Sequence, residues 1–429
     1  MHSKEQSRNA LSGIVSGATT AMVAIAVVFA LLPFLTQRSM AQTFQVIYSF
    51  TNGRDGAYPQ ALIKDRTGNL YGTTSGGGAG HGTVFKFTRG SLAPLYNFTR
   101  TGSGLFAFPR HYLVFGPDGN LYGTEKYGGL GSGSVFNLRP PATFCPTVLC
   151  LWTQTVLYRF TGGNDGADPA GQLSFDRAGN IYGTTLLGGT GVDCNPEPCG
   201  AAYKLTPVRG TWTQSVIHNF TGDDGAYPTS GVILDQGGNL YGSALGGGNS
   251  VAGTVFELMP SGSGWDYSAI YNFQSGDDGQ YPYGNLILDG SGNLYGSTGW
   301  PGAFGNGGAG TIFALSPSGD AWSFDLLYSF AGPPAPNTPD FVSLVSDGAG
   351  NLFGTTFFLG AYGNGSIFKL SSGISGWTYT VLHDFCSTGP PCSDGANPAS
   401  IVLDSEGNLY GIASAGGAHG VGVIWKITP

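Results

Sequence analysis

Charge is scarce in this chain of 429 residues: Lys, Arg, Asp and Glu make up 10% of it. Acidic residues outnumber basic ones by 26 to 18, for a net charge of −8. Such a chain lacks the basic surface that a phosphate backbone requires, which argues against nucleic acid as a partner. Helical patterning is also missing. After residue 42 few Lys/Glu/Ala-rich stretches of helical period occur, so the mature chain reads as all-β. Glycine is abundant, at 74 residues, but has no Gly-X-Y period, and an apolar fraction of 41% is too high for disorder. The glycines therefore punctuate turns between short strands. No G-x-S-x-G, Walker or H-E-x-x-H motif appears.

Long apolar runs are equally rare. The one at the N-terminus, Ala21 to Leu35, is short of the roughly 20 residues of a membrane span. It follows a polar stretch with Lys4 and Arg8 and precedes "SMA" at 39–41, the layout of a secretory signal peptide. Residues 1–41 are thus expected to be removed, with an uncleaved N-terminal anchor as the rival reading and the only membrane attachment. Six cysteines fall in three local pairs, Cys145/Cys150, Cys194/Cys199 and Cys386/Cys392. Local disulfides in an oxidising compartment are the economical reading, and none of the pairs has a second Cys/His pair nearby at zinc-finger spacing. The expected location is secreted, periplasmic or at the cell surface.

What the chain does have is a phrase. "GNLYG" stands at 68–72, 119–123, 238–242, 292–296 and 407–411, with "GNIYG" at 179–183 and "GNLFG" at 350–354. Successive copies lie 51, 60, 59, 54, 58 and 57 residues apart. A fixed period of this order marks repeat architectures. Each unit carries four strand-like runs: A ("ALIKD", "VILD", "IVLD"), B (the phrase and its tail), C ("GTVFKF", "GTIFAL") and D ("TVLYRF", "SVIHNF"). Four strands with short turns form an antiparallel meander, and seven such units predict a seven-bladed β-propeller. The last unit, 396–428, stops without a D run, whereas the mature chain opens on one, "QVIYSF" at 45–50. A ring closed by that N-terminal strand completing the last blade explains both ends and leaves no open sheet edge. Residues 42–429 are then a single domain.

The unit "DG-x-x-P…D-x-x-GNLYGTT…GG…GTVF" resembles the choice-of-anchor tandem-repeat proteins of the GloVer-containing family, exported bacterial proteins. The resemblance runs from "DGAYPQALIKDRTGNLYGTTSGGGAGHGTVFKF" (55–87) to "DGANPASIVLDSEGNLYG" (394–411). It implies an exported repeat protein and names no reaction. Blades 2 and 6 depart from it, with "SGLFAFP" and "APNTPDF" in place of "DG-x-x-P".

Residues that repeat are expected to build, and residues that break the repeat are candidates for function. The Asp of "D-x-x-GN" and the Asp of "DG-x-x-P" (Asp55, Asp165, Asp224, Asp278, Asp394) read as turn residues. Trp152, Trp212, Trp265, Trp322 and Trp377 share one slot at the start of strand D and read as packing residues, as does Trp425. Off the pattern are Trp300 and Phe304 in "GWPGAFGNGG", Phe357, Phe358 and Tyr362 in "FFLGAYG", and Tyr127 in "EKYGG". Flat aromatics on glycine-rich loops suit stacking on sugar rings or on a partner surface. The expected site is the face bearing the B–C and D–A loops, around blades 5 and 6. His81 and His419, in the B–C loops of blades brought together by closure, form at most a weak metal site, and no cofactor is expected. The strand-A slot four residues before the Asp reads Ala61, Tyr112, Gln172, Gly231, Asn285, Ser343 and Ser400, with no acid, base or Cys. A monomeric binding module for carbohydrate or a surface partner is therefore the first reading. A polysaccharide-active lyase or glycosidase is the alternative, and a purely structural surface protein the third.

Overall fold

The computed structural model describes residues 42–99, 109–126, 131–141, 151–191, 194, 198–300, 308–331, 343–374 and 376–429, the side chains of 109–111, 300 and 308 excepted. These residues form 28 strands, numbered β1 to β28 in chain order, and no helix. Pairing follows chain order within antiparallel meanders of four. Five sheets are such four-stranded blades, and a sixth sheet has eight strands.

The repeated phrase explains how one meander holds together. In the A–B turn of the first unit, the backbone N–H of Asn69 donates to Asp65 Oδ1 at 2.9 Å and its side-chain amide to Oδ2 at 2.7 Å. Tyr71 adds its hydroxyl to the same Oδ2 at 3.2 Å. Gly68 takes φ +87°, a left-handed turn position that a side chain would strain. The second glycine, Gly72, has another task. It pairs across strands with Phe85, and a methyl added to it would come 2.5 Å from the Phe85 ring. The aromatic of "GTVF" thus lies flat over the last glycine of "GNLYG". Trp425 does the same over Gly411, and Tyr203 over Gly183.

The "DG-x-x-P" loop joins one meander to the next. Its Asp is consumed locally: Asp55 accepts from Thr51 N–H at 2.7 Å, Thr51 Oγ1 at 2.6 Å, Gly53 N–H at 3.1 Å and the Tyr48 hydroxyl at 3.1 Å. The residue before the proline turns left-handed and gives its N–H to the preceding B–C loop. Asp168 reaches Ser132 O, Tyr227 reaches Cys199 O, and Asn397 reaches Asn364 O, each at 2.8 Å; Tyr281 reaches Ala252 O at 2.7 Å. The N–H of Tyr58 makes the same bond to Val421 O at 2.8 Å, near the other end of the chain.

That last bond belongs to a closed seam. Strand β1 (Thr43–Ser49) pairs antiparallel with β28 (Val423–Thr428), from Thr43 opposite Thr428 to Ser49 opposite Val423. It is the outer strand of a sheet whose other members are β26 (Ala396–Leu403) and β27 (Leu409–Ala415). Phe50 N–H then bonds Gly422 O at 3.0 Å, as Phe98 bonds Gly82 O and Phe385 bonds Gly365 O within their own units. Fully buried Phe50 and Phe85 pack with Ile412 and Ile424 in one apolar cluster, so the first and last meanders share a core. Similar clusters lie between the other successive meanders, and Trp152, Trp212, Trp265, Trp322 and Trp377 each pack against one.

The expectation of seven separate four-stranded blades needs one correction. The meanders spanning Ala167–Asn219 and Ala226–Asn272 are one eight-stranded sheet, because their inner strands meet in a parallel bridge between Gln172 and Gly231. The approach is close enough that a methyl on Gly171 would sit 1.9 Å from Gly231 N. Two left-handed glycines, Gly171 (φ +72°) and Gly231 (φ +73°), make it accessible.

Candidate functional site: the channel between the inner strands

The first strand of each meander is innermost: β2 (Ala57–Lys64), β6 (Pro109–Phe115), β10 (Ala167–Phe175), β14 (Ala226–Leu234), β18 (Gln280–Leu288), β22 (Ser343–Ser346) and β26. All seven contribute to the lining of one cavity of about 800 Å³. Most of these strands carry a bulge midway, between Pro59 and Ala61 in β2 and between Tyr283 and Ile287 in β18, for example. A bulge frees backbone from the ladder and bends the strand.

The slot four residues before each turn Asp (Gly116 in the second unit) supplies Ala61, Tyr112, Gln172, Asn285, Ser343 and Ser400 to the lining; Gly231 is absent from it, being engaged with Gln172. The residue after each proline, Gln60, Ala170, Thr229, Tyr283 or Ala399, lines the end nearer the D–A loops. Toward the A–B turns the lining becomes apolar, with Ile63, Phe175, Leu234, Leu288, Val345 and Val402. Among the described residues the cavity wall holds no Asp, Glu, Lys, Arg, His or Cys.

Its polar groups are amides and hydroxyls. The side-chain amide of Asn285 donates across the channel to Gln172 Oε1 at 2.8 Å. Asn285 Oδ1 and Thr229 Oγ1 are buried with no hydrogen-bond partner among the described residues. Buried polar atoms in that state are costly, and a ligand that donates hydrogen bonds relieves the cost. Such a surface can bind by hydrogen bonding and contact.

Titratable groups elsewhere are tied into the scaffold. Glu125 is 4% exposed, and burial pushes its pKa up against the pull of Gln154 and Ser134, which donate at 2.5 and 2.9 Å. It does not line the cavity. His218 and His383 occupy the place of Tyr48 and bond the loop Asp in the same way, to Asp224 at 3.0 Å and Asp394 at 3.1 Å. Burial holds His383 below the ordinary histidine pKa although Asp394 pulls it up.

The aromatic candidates separate. Phe357 lines the cavity and packs edge-on against Phe358, with ring centres 4.6 Å apart. Tyr362 is 53% exposed in the same loop. Trp300 ends β19 (Leu294–Trp300), its backbone opposite Gln280; its side chain, Phe304 and Tyr127 lie outside the described residues. His81 is half-buried and His419 exposed, and no group of three or more potential metal ligands occurs among the described residues. Cys194–Cys199 and Cys386–Cys392 are disulfides; Cys145 and Cys150 lie outside the described residues. Sequence reasoning missed the lining role of Gln60, Thr229 and Tyr283, whose place directly after the "DG-x-x-P" proline was the available clue.

The model of the Gloeobacter/Verrucomicrobia repeat matches this chain over residues 25–195, 191–388 and 305–429. The chain belongs to that repeat family. Curated proteins give no match. Among solved structures, a protein from Thermus thermophilus named as an oxidoreductase (glucose dehydrogenase) aligns over 90% of this chain and 100% of its own, at 14% identity and a TM-score of 0.44. A protein from Bacteroides uniformis named as a 6-phosphogluconolactonase aligns over 80% of this chain and 88% of its own, at 14% identity and a TM-score of 0.46.

Proposed function

We propose that this repeat protein is an exported binding module that takes an uncharged, polyhydroxylated ligand, a neutral carbohydrate, into the mouth of its central channel. The observation that carries the reading is the channel wall, which among the described residues combines amides, hydroxyls and aromatic rings with no charged side chain. Asn285 Oδ1 and Thr229 Oγ1 are acceptors waiting for donors, which sugar hydroxyls supply. Most glycoside hydrolases use a pair of carboxylates flanking the bond, about 5–9.5 Å apart, and the described wall has none, which favours binding over a glycosidase of that kind. The eight-stranded sheet reads as two four-stranded meanders joined by a single bridge, which supports a ring of seven blades. Support comes from the apolar clusters, which link each meander to the next and the last to the first. Two local disulfides suit an oxidising compartment outside the cytoplasm. A glycan array tests the reading, followed by chromatography of every glycan retained. Retention of neutral glycans without cleavage is the expected result. Cleavage would transfer the protein to the enzyme alternative, and retention of acidic glycans alone would refute the uncharged site.

A further inference from the structure

Four of the described tyrosines differ from the rest. Tyr58, Tyr227, Tyr281 and Tyr362 have no ring partner, and their hydroxyls have no hydrogen-bond partner among the described residues. Tyrosines such as Tyr48, Tyr71, Tyr158 and Tyr271 instead bond the carboxylates of the turns. Tyr227 leans on the core between its meander and the preceding one. The other three are exposed, Tyr58 by 47%, Tyr281 by 37% and Tyr362 by 53%.

Tyr58 and Tyr281 also hold a backbone conformation that tyrosine disfavours. Each precedes a proline, a position normally extended, yet their φ values are +56° and +57°. The inter-blade bond made by this residue's N–H requires the left-handed turn in every unit that has it. Two units meet that need with residues that tolerate it, Asp168 (φ +55°) and Asn397 (φ +58°). Their side chains also serve the scaffold: the Asn397 amide donates to Phe357 O at 3.1 Å, and Asp168 lies 3.6 Å from Lys126 Nζ. At the same turn the first, fourth and fifth units keep a large ring at a conformational cost; Tyr227 (φ +58°) uses it to cover the core, whereas Tyr58 and Tyr281 leave much of theirs exposed. Strain that the scaffold does not need points to a use.

Position supplies the use. Tyr58 stands two residues before Gln60 and Tyr281 two before Tyr283, both on the channel wall, and Tyr362 shares its loop with Phe357, also on the wall. Inner strand β18 packs beside β22, β22 beside β26, and β26 beside β2, so the units bearing Tyr281, Tyr362 and Tyr58 fall within one run of four neighbouring units, Asn397 holding the turn of the unit between the last two. They are separate flat rings with free hydroxyls, two at the starts of inner strands and one on a glycine-rich loop, not a continuous apolar patch of the kind that forms the core of a protein interface. A single ring with a polar tip suits the apolar face of one sugar unit, with its hydroxyls bonded around the edge.

We infer that Tyr58, Tyr281 and Tyr362 form a stacking rim that holds successive units of a neutral oligosaccharide across the channel mouth. The inference rests on the uncharged-ligand reading and adds the residues and the ligand length, a chain of several sugars rather than a monosaccharide. The test compares the full mature protein with Tyr58→Asn/Tyr281→Asn, Tyr362→Ala and Asn285→Ala, by thermal melting and by calorimetric titration with cello-, xylo- and mannohexaose. Because asparagine already fills this turn at Asn397, the double variant should melt no lower than wild type while its affinity falls at least tenfold. Tyr362→Ala should behave alike. A melting point several degrees lower in the double variant would make the tyrosines packing residues and overturn the rim. Affinity unchanged in the tyrosine variants but lost in Asn285→Ala would overturn the rim and leave the channel reading standing. No binding of any hexaose by wild type would refute both.

Discussion

Gly422 carries the ring's closure in a form that one methyl group can probe. It stands just before β28 at φ +109°, and an added Cβ would come 2.4 Å from Pro59 Cδ and 2.7 Å from Ala413 O. Pro59 belongs to the first meander, so Gly422→Ala drives a wedge between the two ends of the chain. Left-handed strain for a non-glycine residue costs about 1–2 kcal/mol. Overpacking against proline and backbone adds about 1–3 kcal/mol. Gly420→Ala is the control: at φ +74°, with nothing within 4 Å of its Cβ, it keeps the strain and omits the clash. Denaturant titration of both should show Gly422→Ala less stable by the overpacking increment, about 1–3 kcal/mol. Pro59→Ala should recover part of that increment in the Gly422→Ala background, because the two residues share one contact. Equal losses for Gly422→Ala and Gly420→Ala, with no coupling to Pro59, would mean that the seam is not built as described.

Deleting residues 42–50 should destabilise the entire ring, since it strips β28 of its partner and removes fully buried Phe50; a truncated chain that melts like wild type would contradict the closed seam. Burial alone would raise the pKa of the turn aspartates, but the bonds from Asn and its neighbours outweigh it, holding Asp65 at about 2 and Asp176, Asp289, Asp347 and Asp404 below the usual range. A carboxyl depressed in the fold stabilises fully above its unfolded value, near 3.9, and loses that contribution as pH falls through the folded one. Melting temperature should thus hold at mildly acidic pH and drop between about pH 4 and pH 2; a flat profile to pH 2 would refute the turn chemistry. Peptide mapping without reduction should link Cys194 to Cys199 and Cys386 to Cys392, and removing either bridge should cost less than the ~3 kcal/mol of a 15-residue loop. Free thiols in exported protein would count against it.

Much of the architecture was legible because it is written in periodic residues. The glycines of "GNLYG", the aromatic of "GTVF" and the Asp of each turn act on one another within a single meander, so local spacing reveals them. The fused eight-stranded sheet was not legible. It depends on how closely Gly171 approaches Gly231, a contact between units that no period encodes. The channel was half legible: the varied strand-A slot pointed to Gln172 and Asn285, but their mutual bond crosses from one unit to another two units on. Tyr362 was legible as a break in the repeat, but Tyr58 and Tyr281 were hidden by a general rule. A residue before proline reads as extended, and only the inter-blade bond of its N–H turns Tyr58 and Tyr281 left-handed.

The central claim, an uncharged channel that binds without chemistry, is tested most directly by titrating the mature protein with a neutral oligosaccharide and with its uronate analogue of equal length. Among the described residues the wall offers no cation to pair a carboxylate, and an unpaired charge brought out of water costs well over the roughly 1.4 kcal/mol that equals a tenfold change in affinity. The account predicts that the neutral glycan binds and is recovered intact, with the uronate at least tenfold weaker. Equal or tighter binding of the uronate, or shortened products in the recovered glycan, would contradict it.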